Sequence, residues 1–396
     1  MAHSQPISDA RELPRQPLAV RRLALSNFRS YGRAELALSG RPVVLAGPNG
    51  AGKTNLLDAI SLLSPGRGLR GALLCEHTRK APQDAQADVL WAVSATVARG
   101  NESYEIGTGL VAGAPGSDRR EVRLNGAAAV NSADLAEIVQ MAWLTPAMDR
   151  LFAEGASGRR RFLDRLVLGF EPGHAPVSLR YERAMRERAR LLRLGPRDPG
   201  WLAALEKEMA NAGIAIATAR GRVVQRLNAE LARRERAGAF PAAQLTLRGE
   251  TDRLVAEAGE SAVGALREEL EAARVRDAES RRTTVGPHVS DLGARHTAKR
   301  MDARDCSTGE QKALLISIVL ANAWELARMR EGHAPLLLLD EVAAHLDSRR
   351  RAALFEEILA LGAQAWLSGT DHSLFENLGS RADIFLVEAG RFTRQN

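Results

Sequence analysis

Two cysteines in 396 residues, Cys75 and Cys306, are too few and too far apart for a disulfide framework or a zinc site. Their scarcity fits a reducing cytosol, and a cytoplasmic protein is expected. Aromatic residues make up only 4% of the chain and do not alternate with basic ones, which argues against a platform that stacks the bases of single strands. Recognition of duplex or of the nucleic-acid backbone fits better. The longest apolar run, residues 313–324, falls well short of the roughly 20 residues a membrane span needs. No internal repeat or low-complexity block is present, so nothing indicates a repeat array. Residues 1–17 are polar and lack an apolar centre, and are expected to form a disordered tail rather than a signal peptide. The net charge of +7 favours a polyanionic partner, but an arginine- and alanine-heavy composition also follows from a GC-rich genome, so charge alone decides little.

The informative string is GPNGAGKT, Gly47 to Thr54, which follows the apolar run Pro42-Val43-Val44-Leu45-Ala46 and precedes the helical pattern Asn55-Leu56-Leu57-Asp58-Ala59-Ile60. Strand, glycine-rich loop and helix together make a phosphate cradle, with backbone N–H groups and a helix N-terminus aimed at the phosphates of ATP. Gly47, Pro48, Asn49, Gly50, Ala51 and Gly52 shape the loop, Lys53 is expected at the β- and γ-phosphates, and Thr54 at Mg²⁺. Far down the chain, Leu336-Leu337-Leu338-Leu339 reads as a strand buried on both faces of a parallel sheet, ending in Asp340-Glu341. Asp340 is placed to hold the same metal, directly or through water, and Glu341 to act as general base for in-line attack of water. Cys306-Ser307-Thr308-Gly309-Glu310-Gln311-Lys312 opens a helical run and has the form of a capping box.

Ser307 and Gly309 at a helix N-terminus, before an acidic strand end, resemble the signature motif of ABC-type ATPases, and Ala344-His345-Leu346-Asp347 resembles the D-loop of that superfamily. The resemblance implies that Ser307, Gly309 and Asp347 complete the ATP site of an opposing subunit. Leu23-Ala24-Leu25-Ser26-Asn27-Phe28-Arg29-Ser30-Tyr31 looks like the amino-terminal lobe shared by the RecF and SMC families. Leu144-Thr145-Pro146, Arg159-Arg160-Arg161-Phe162-Leu163-Asp164 and Thr283-Thr284-Val285-Gly286-Pro287-His288-Val289-Ser290-Asp291-Leu292 are similar to RecF proteins in particular. Departures are Ala147 where an acidic residue is common, Val289-Ser290-Asp291 in place of Arg-Asp-Asp, and Thr308 in place of glycine.

What the resemblance implies is an α/β fold, an ABC-type P-loop head built from N- and C-terminal lobes with a short inserted helical arm. The expected boundaries are 18–145 for the first lobe, 146–280 for the arm and 281–396 for the second lobe. It further implies a weak ATPase that dimerises with ATP, clamps DNA at gapped single-strand/duplex junctions and works with RecO and RecR to load RecA in the SOS response. The alternative is an energy-coupling ABC subunit acting on a protein or membrane partner. Thr370 stands where such subunits carry a switch histidine, and His372 is read as a bystander. Gln140 is a weak candidate for a metal-linking glutamine.

Patches at 90–93, 104–106 and 122–126 suggest an antiparallel extension that turns at Asn125-Gly126. Leu202, Leu205, Met209, Ala212, Ile216, Ala219 and Val223 step by three or four residues as a helical seam, with breakers at 194–200 and 233–244. A further short helical segment is expected around Leu266 and Leu270. For DNA, Arg159, Arg160 and Arg161 open a helix against its dipole, which suggests a use; a salt-bridged face is the alternative. The basic stretch 180–193 is a second candidate for tracking phosphates, or simply an exposed helix.

Overall fold

In a computed structural model of the chain, residues 18–79, 90–111, 119–128, 134–195, 199–234 and 239–395 are described; the tail expected at 1–17 lies outside them. The organising element is a six-stranded sheet ordered 391–395, 383–388, 43–46, 365–369, 336–339, 141–144. All neighbours pair in parallel except Asp383–Glu388 with Arg391–Gln395, the antiparallel edge. Val43–Ala46 lies between two strands from the far end of the chain, so both chain ends build one sheet. Val43–Ala46, Leu336–Leu339 and Met141–Leu144 are buried along their whole length, which is why they read as unbroken apolar runs rather than alternating ones.

A second sheet, ordered 31–37, 18–28, 92–99, 102–110, 120–124, 127–128, is antiparallel throughout. Val93, Ala95 and Val97 turn inward in alternation, and the last hairpin turns at Asn125 and Gly126, both left-handed with φ of 50° and 82°, the pair of conformations a two-residue type I′ turn requires.

Helices Ala156–Phe170, His174–Leu194 and Pro199–Arg234 follow, and then Glu250–Ala258, Ala262–Ala272 and Arg274–Ser280. The seam is as spaced: Leu202, Met209, Ala212, Ile216, Ala219 and Val223 are buried and Leu205 packs beside them. Met209 to Ile216 belong to the core of the arm, and Ala219 to Leu231 to the core under the parallel sheet. One 36-residue helix therefore enters both. Within the arm the Arg188 side chain is fully buried and donates to Glu206 (3.0 Å), to Asp277 (2.6 Å) and to the carbonyl of Leu270 (2.6 Å). Where only a separator was expected around 233–244, followed by one short helix, the chain forms strand Ala243–Arg248 and helix Glu250–Ala258. The strand pairs with Asp291–His296, which in turn pairs with Met301–Asp302; Ala243 and Leu245 are buried in the main core, and Gln244 between them is exposed.

Asp164 sits where the cores meet. Burial by itself raises its pKa, but hydrogen bonds from His174 and from both Nε and Nη2 of Arg220 outweigh burial and hold the carboxyl below its ordinary value. A depressed carboxylate stabilises the fold above its unfolded pKa, about 3.9, and that stability is lost as pH falls through the folded value. The urea midpoint of the wild type is therefore expected to fall below about pH 4, and Asp164→Asn to lower stability at neutral pH and flatten that acid limb; an unchanged acid limb in the variant would remove Asp164 from the account. Among the described residues no helix is long and apolar enough to cross a membrane.

Candidate functional site

The loop 47–52 emerges from the C-terminal end of strand Val43–Ala46 and feeds helix Lys53–Ser61. Its glycines have steric reasons. Gly47 has φ 154°, and a Cβ there would lie 2.2 Å from the carbonyl oxygen of Val387; Gly52 has φ 112°, and its Cβ would lie 2.7 Å from the Tyr31 hydroxyl. That hydroxyl donates to the Gly52 carbonyl (2.9 Å), and Asn55 donates to Ser30 (2.9 Å), so the 29–31 turn braces the loop. Lys53 is buried, and its ammonium donates to the carbonyls of Gly47 (2.6 Å) and Pro48 (2.9 Å) from inside the loop. Burial lowers its pKa, against the opposing pull of Glu341 and Asp340.

Asp340 and Glu341 follow the end of strand Leu336–Leu339, separated from the cradle strand by strand Ala365–Gly369. Asp340 is buried, and its Oδ1 accepts from Thr54 Oγ1 (3.0 Å) and from Ser368 Oγ (2.7 Å). Ser368 Oγ also accepts from the Glu341 N–H (2.9 Å). Glu341 is left-handed, φ 54°, a conformation that costs a non-glycine residue about 1–3 kcal/mol and persists only where the surroundings enforce it. Lys53, Thr54, Asp340 and Glu341, 286 positions apart between Thr54 and Asp340, thus converge on one sheet end. Ser368 is a residue of this site that motif reading passes over; its signal is a hydroxyl within the otherwise apolar strand Ala365–Gly369.

Ser307 caps helix Thr308–Met329: its hydroxyl accepts from the Glu310 N–H, and the Glu310 carboxylate accepts from the Ser307 N–H (3.0 Å). The Lys299 ammonium and this N–H hold the Glu310 carboxyl down to about 2. Ser307, Thr308 and Gly309 are exposed, and a Cβ on Gly309 would meet nothing. Nothing among the described residues therefore requires glycine at 309. Asp347 caps helix Ser348–Leu361, accepting from the Arg350 N–H (2.8 Å).

The family model for the RecF/RecN/SMC N terminal domain matches residues 19–393. The DNA replication and repair protein RecF of Rhizobium rhizogenes (strain K84) is 47% identical over 379 residues, 95% of this chain and 98% of that protein. This chain belongs to the RecF family. The RecF of Caulobacter vibrioides is 49% identical, over 94% of this chain and 98% of that protein. Among solved structures, the recombination mediator protein RecF-ATPrS in the RecFOR pathway overlays with TM-score 0.80 at 21% identity, covering 96% of this chain and 99% of that one. The SmcHead bound to the C-winged helix domain of ScpA overlays at 0.54 and 15% identity, covering 95% and 97%. The fold is the ABC-type ATPase head of RecF and SMC proteins.

The RecF-like motifs of the middle of the chain meet in space. Arg159 donates through Nε and Nη2 to the two carboxylate oxygens of Asp291 (2.8 and 2.9 Å), and Arg160 donates to the Ser290 carbonyl (2.8 Å). Arg220 joins Asp164 to the Pro287 carbonyl (2.7 Å). Two of the three arginines singled out for DNA are thus engaged inside the molecule, while Arg161 is exposed. Asp149, just after the Leu144-Thr145-Pro146 motif, pairs with Lys312 on the helix capped by Ser307 (3.0 Å). Gln140 lies away from the carboxylates: its carbonyl accepts from Leu336 N at one end of that strand, whereas Asp340 N donates to Leu144 at the other, about 13 Å along a four-residue strand. His372 is 64% exposed beside Asp371.

Proposed function

We propose that this chain is an ATP-dependent DNA-binding ATPase of recombinational repair that works as a switch: two copies close around ATP, grip duplex DNA beside a single-stranded gap, and separate after slow hydrolysis. RecF relatives are named DNA replication and repair proteins, and a RecF-ATP structure is described as part of the RecFOR pathway, which supports the repair role; cooperation with RecO and RecR in loading RecA during the SOS response belongs to the same proposal. The observation that carries the proposal is the division of the site. The cradle, Lys53, Thr54, Asp340, Glu341 and Ser368 are gathered in one place, while Ser307 and Gly309 form an exposed helix end with open space in front, fit to meet the γ-phosphate held by a second copy. Asp347, at the exposed start of helix Ser348–Leu361, would line the same seam.

Thr54 and Asp340, whose side chains already meet, would hold a Mg²⁺, which when bound would neutralise charge developing on the phosphate oxygens. Lys53 would turn its ammonium from the loop carbonyls to the β- and γ-phosphates, and Glu341 would accept a proton from the attacking water. The reading in which the protein energises a membrane or protein partner gains no support from the arm or from Thr370. Sedimentation with ATP, with ADP and without nucleotide, each with and without gapped duplex, tests the proposal: dimers are expected with ATP alone among the nucleotides, and a single species in all conditions would refute it.

Ser368→Ala offers a finer test. It removes the hydroxyl that holds both Asp340 and the Glu341 backbone. Hydrogen bonds to charged groups contribute about 1.5–3 kcal/mol, so hydrolysis is expected to fall roughly tenfold or more while ATP affinity stays near normal. Wild-type turnover in the variant would show that Ser368 only fills the strand.

A further inference from the structure

We propose that the outer face of helix His174–Leu194 is a phosphate-tracking surface for duplex DNA, contacted through Arg183, Arg186, Arg190 and Arg193. The proposal rests on the DNA-binding reading above and locates where on the chain that binding is made.

This helix carries six arginines and turns only Arg188 inward. Tyr181, Ala184 and Arg188 are its buried residues beyond the first turn; at about 100° per residue they fall within about 60° of one another. On the same count Arg183, Arg186, Arg190 and Arg193 span about 80°, centred opposite that buried face. All four are exposed, and Arg180 at the near end is exposed as well. The face is not a neutral lattice of ion pairs. Arg186 and Arg190 lie 3.7 Å from Glu182 and Glu187, and Arg180 lies 3.8 Å from Glu208; Arg183 and Arg193 have no ion pair among the described residues. Exposed pairs of that length contribute little and are readily exchanged for a phosphate.

Spacing agrees with the ligand. From Arg183 to Arg193 the helix rises about 15 Å, a length over which one strand of a duplex presents about four phosphates. The support beneath is fixed, because Arg188 ties the helix to Glu206, Asp277 and the Leu270 carbonyl from below. At the tip, Arg190 and Arg193 share an open hollow of about 600 Å³ with Arg281, which ends helix Arg274–Ser280 in a left-handed conformation. By contrast Arg159 and Arg160 are committed to Asp291 and Ser290, and releasing them for a phosphate would break the joint between helix Ala156–Phe170 and strand Asp291–His296.

The test is binding of a gapped duplex oligonucleotide with ATP across a salt series, using the full chain. Substituting glutamine at the four positions keeps helix propensity and removes the charge; substituting lysine keeps the charge. The glutamine variant is expected to lower the magnitude of the log–log salt slope by about 3 to 4 and to lose roughly a hundredfold or more in affinity near 0.1 M salt. The lysine variant is expected to keep the slope, and both are expected to keep ATP-dependent dimerisation. A glutamine variant with the wild-type slope would overturn the inference and assign the face to another partner, such as an acidic protein segment. Equal loss of slope in the lysine variant would also overturn it, because the defect would then not be one of charge. Absence of DNA binding by the wild type would instead refute the DNA-binding reading and this inference with it.

Discussion

Glu341→Gln is expected to bind ATP as the wild type does, to hydrolyse it at least a hundredfold more slowly, and to accumulate as a dimer that no longer dissociates. The size follows from the role: a positioned general base contributes about 10²- to 10⁴-fold. The clean separation follows from the geometry. Glu341 is held at φ 54° by the Ser368 hydroxyl on its N–H, and glutamine can take the same backbone conformation and shape while losing only the basic oxygen. Asp340, Thr54 and Lys53 keep their contacts, so the nucleotide-dependent contacts between copies should form and then lack the step that undoes them. Phosphate release measured beside sedimentation decides it. A variant that hydrolyses at the wild-type rate would remove Glu341 from the role of base, and one that stops hydrolysing yet separates freely would detach hydrolysis from dissociation.

Ser307→Arg is expected to abolish ATP-driven dimerisation and hydrolysis together while leaving the affinity of the single chain for ATP near normal. Ser307 is exposed, and among the described residues its side chain hydrogen-bonds only within its own capping box. Loss of that cap costs about 1 kcal/mol, far from enough to unfold the second lobe. An arginine at this helix end would instead meet the incoming copy with bulk and displaced charge, and the γ-phosphate and water would lose the donors that position them. Lys53→Met should behave oppositely and weaken ATP binding itself, because its ammonium sits within the cradle. Nucleotide affinity, sedimentation and turnover on both variants separate the two roles. Normal dimers from Ser307→Arg would reduce the motif to a helix cap.

The contrast between what was and was not legible in the sequence has physical causes. The cradle, Asp340 and Glu341 could be read because a doubly buried parallel strand is an uninterrupted apolar run and its end marks the sheet edge where ligands gather. The N-cap at Ser307 could be read because a capping box is local in sequence. Partners far apart in sequence could not. Nothing near Arg159 announces Asp291, 132 positions away, so a cationic helix start that is satisfied internally reads the same as one waiting for DNA. Strand Ala243–Arg248 was hidden for a related reason: it is short, and its ladder is formed with residues after 290. Gln140 was considered on its residue type alone, and only the strand register shows which end of the sheet it occupies.

Helix Pro199–Arg234, whose 36 residues extend about 54 Å, has a mechanical consequence. Its C-terminal half is packed into the core beneath the parallel sheet and its N-terminal half into the arm, with Arg220 bolted to Asp164 and Pro287 between them. It acts as a beam clamped at one end: a tilt of about 5° where it is seated in the head swings the far end by roughly 3 Å over the free stretch from Arg220 to Pro199. Small rotations of one lobe against the other would thus reach the arm as displacements comparable to the spacing of groups along a nucleic-acid backbone.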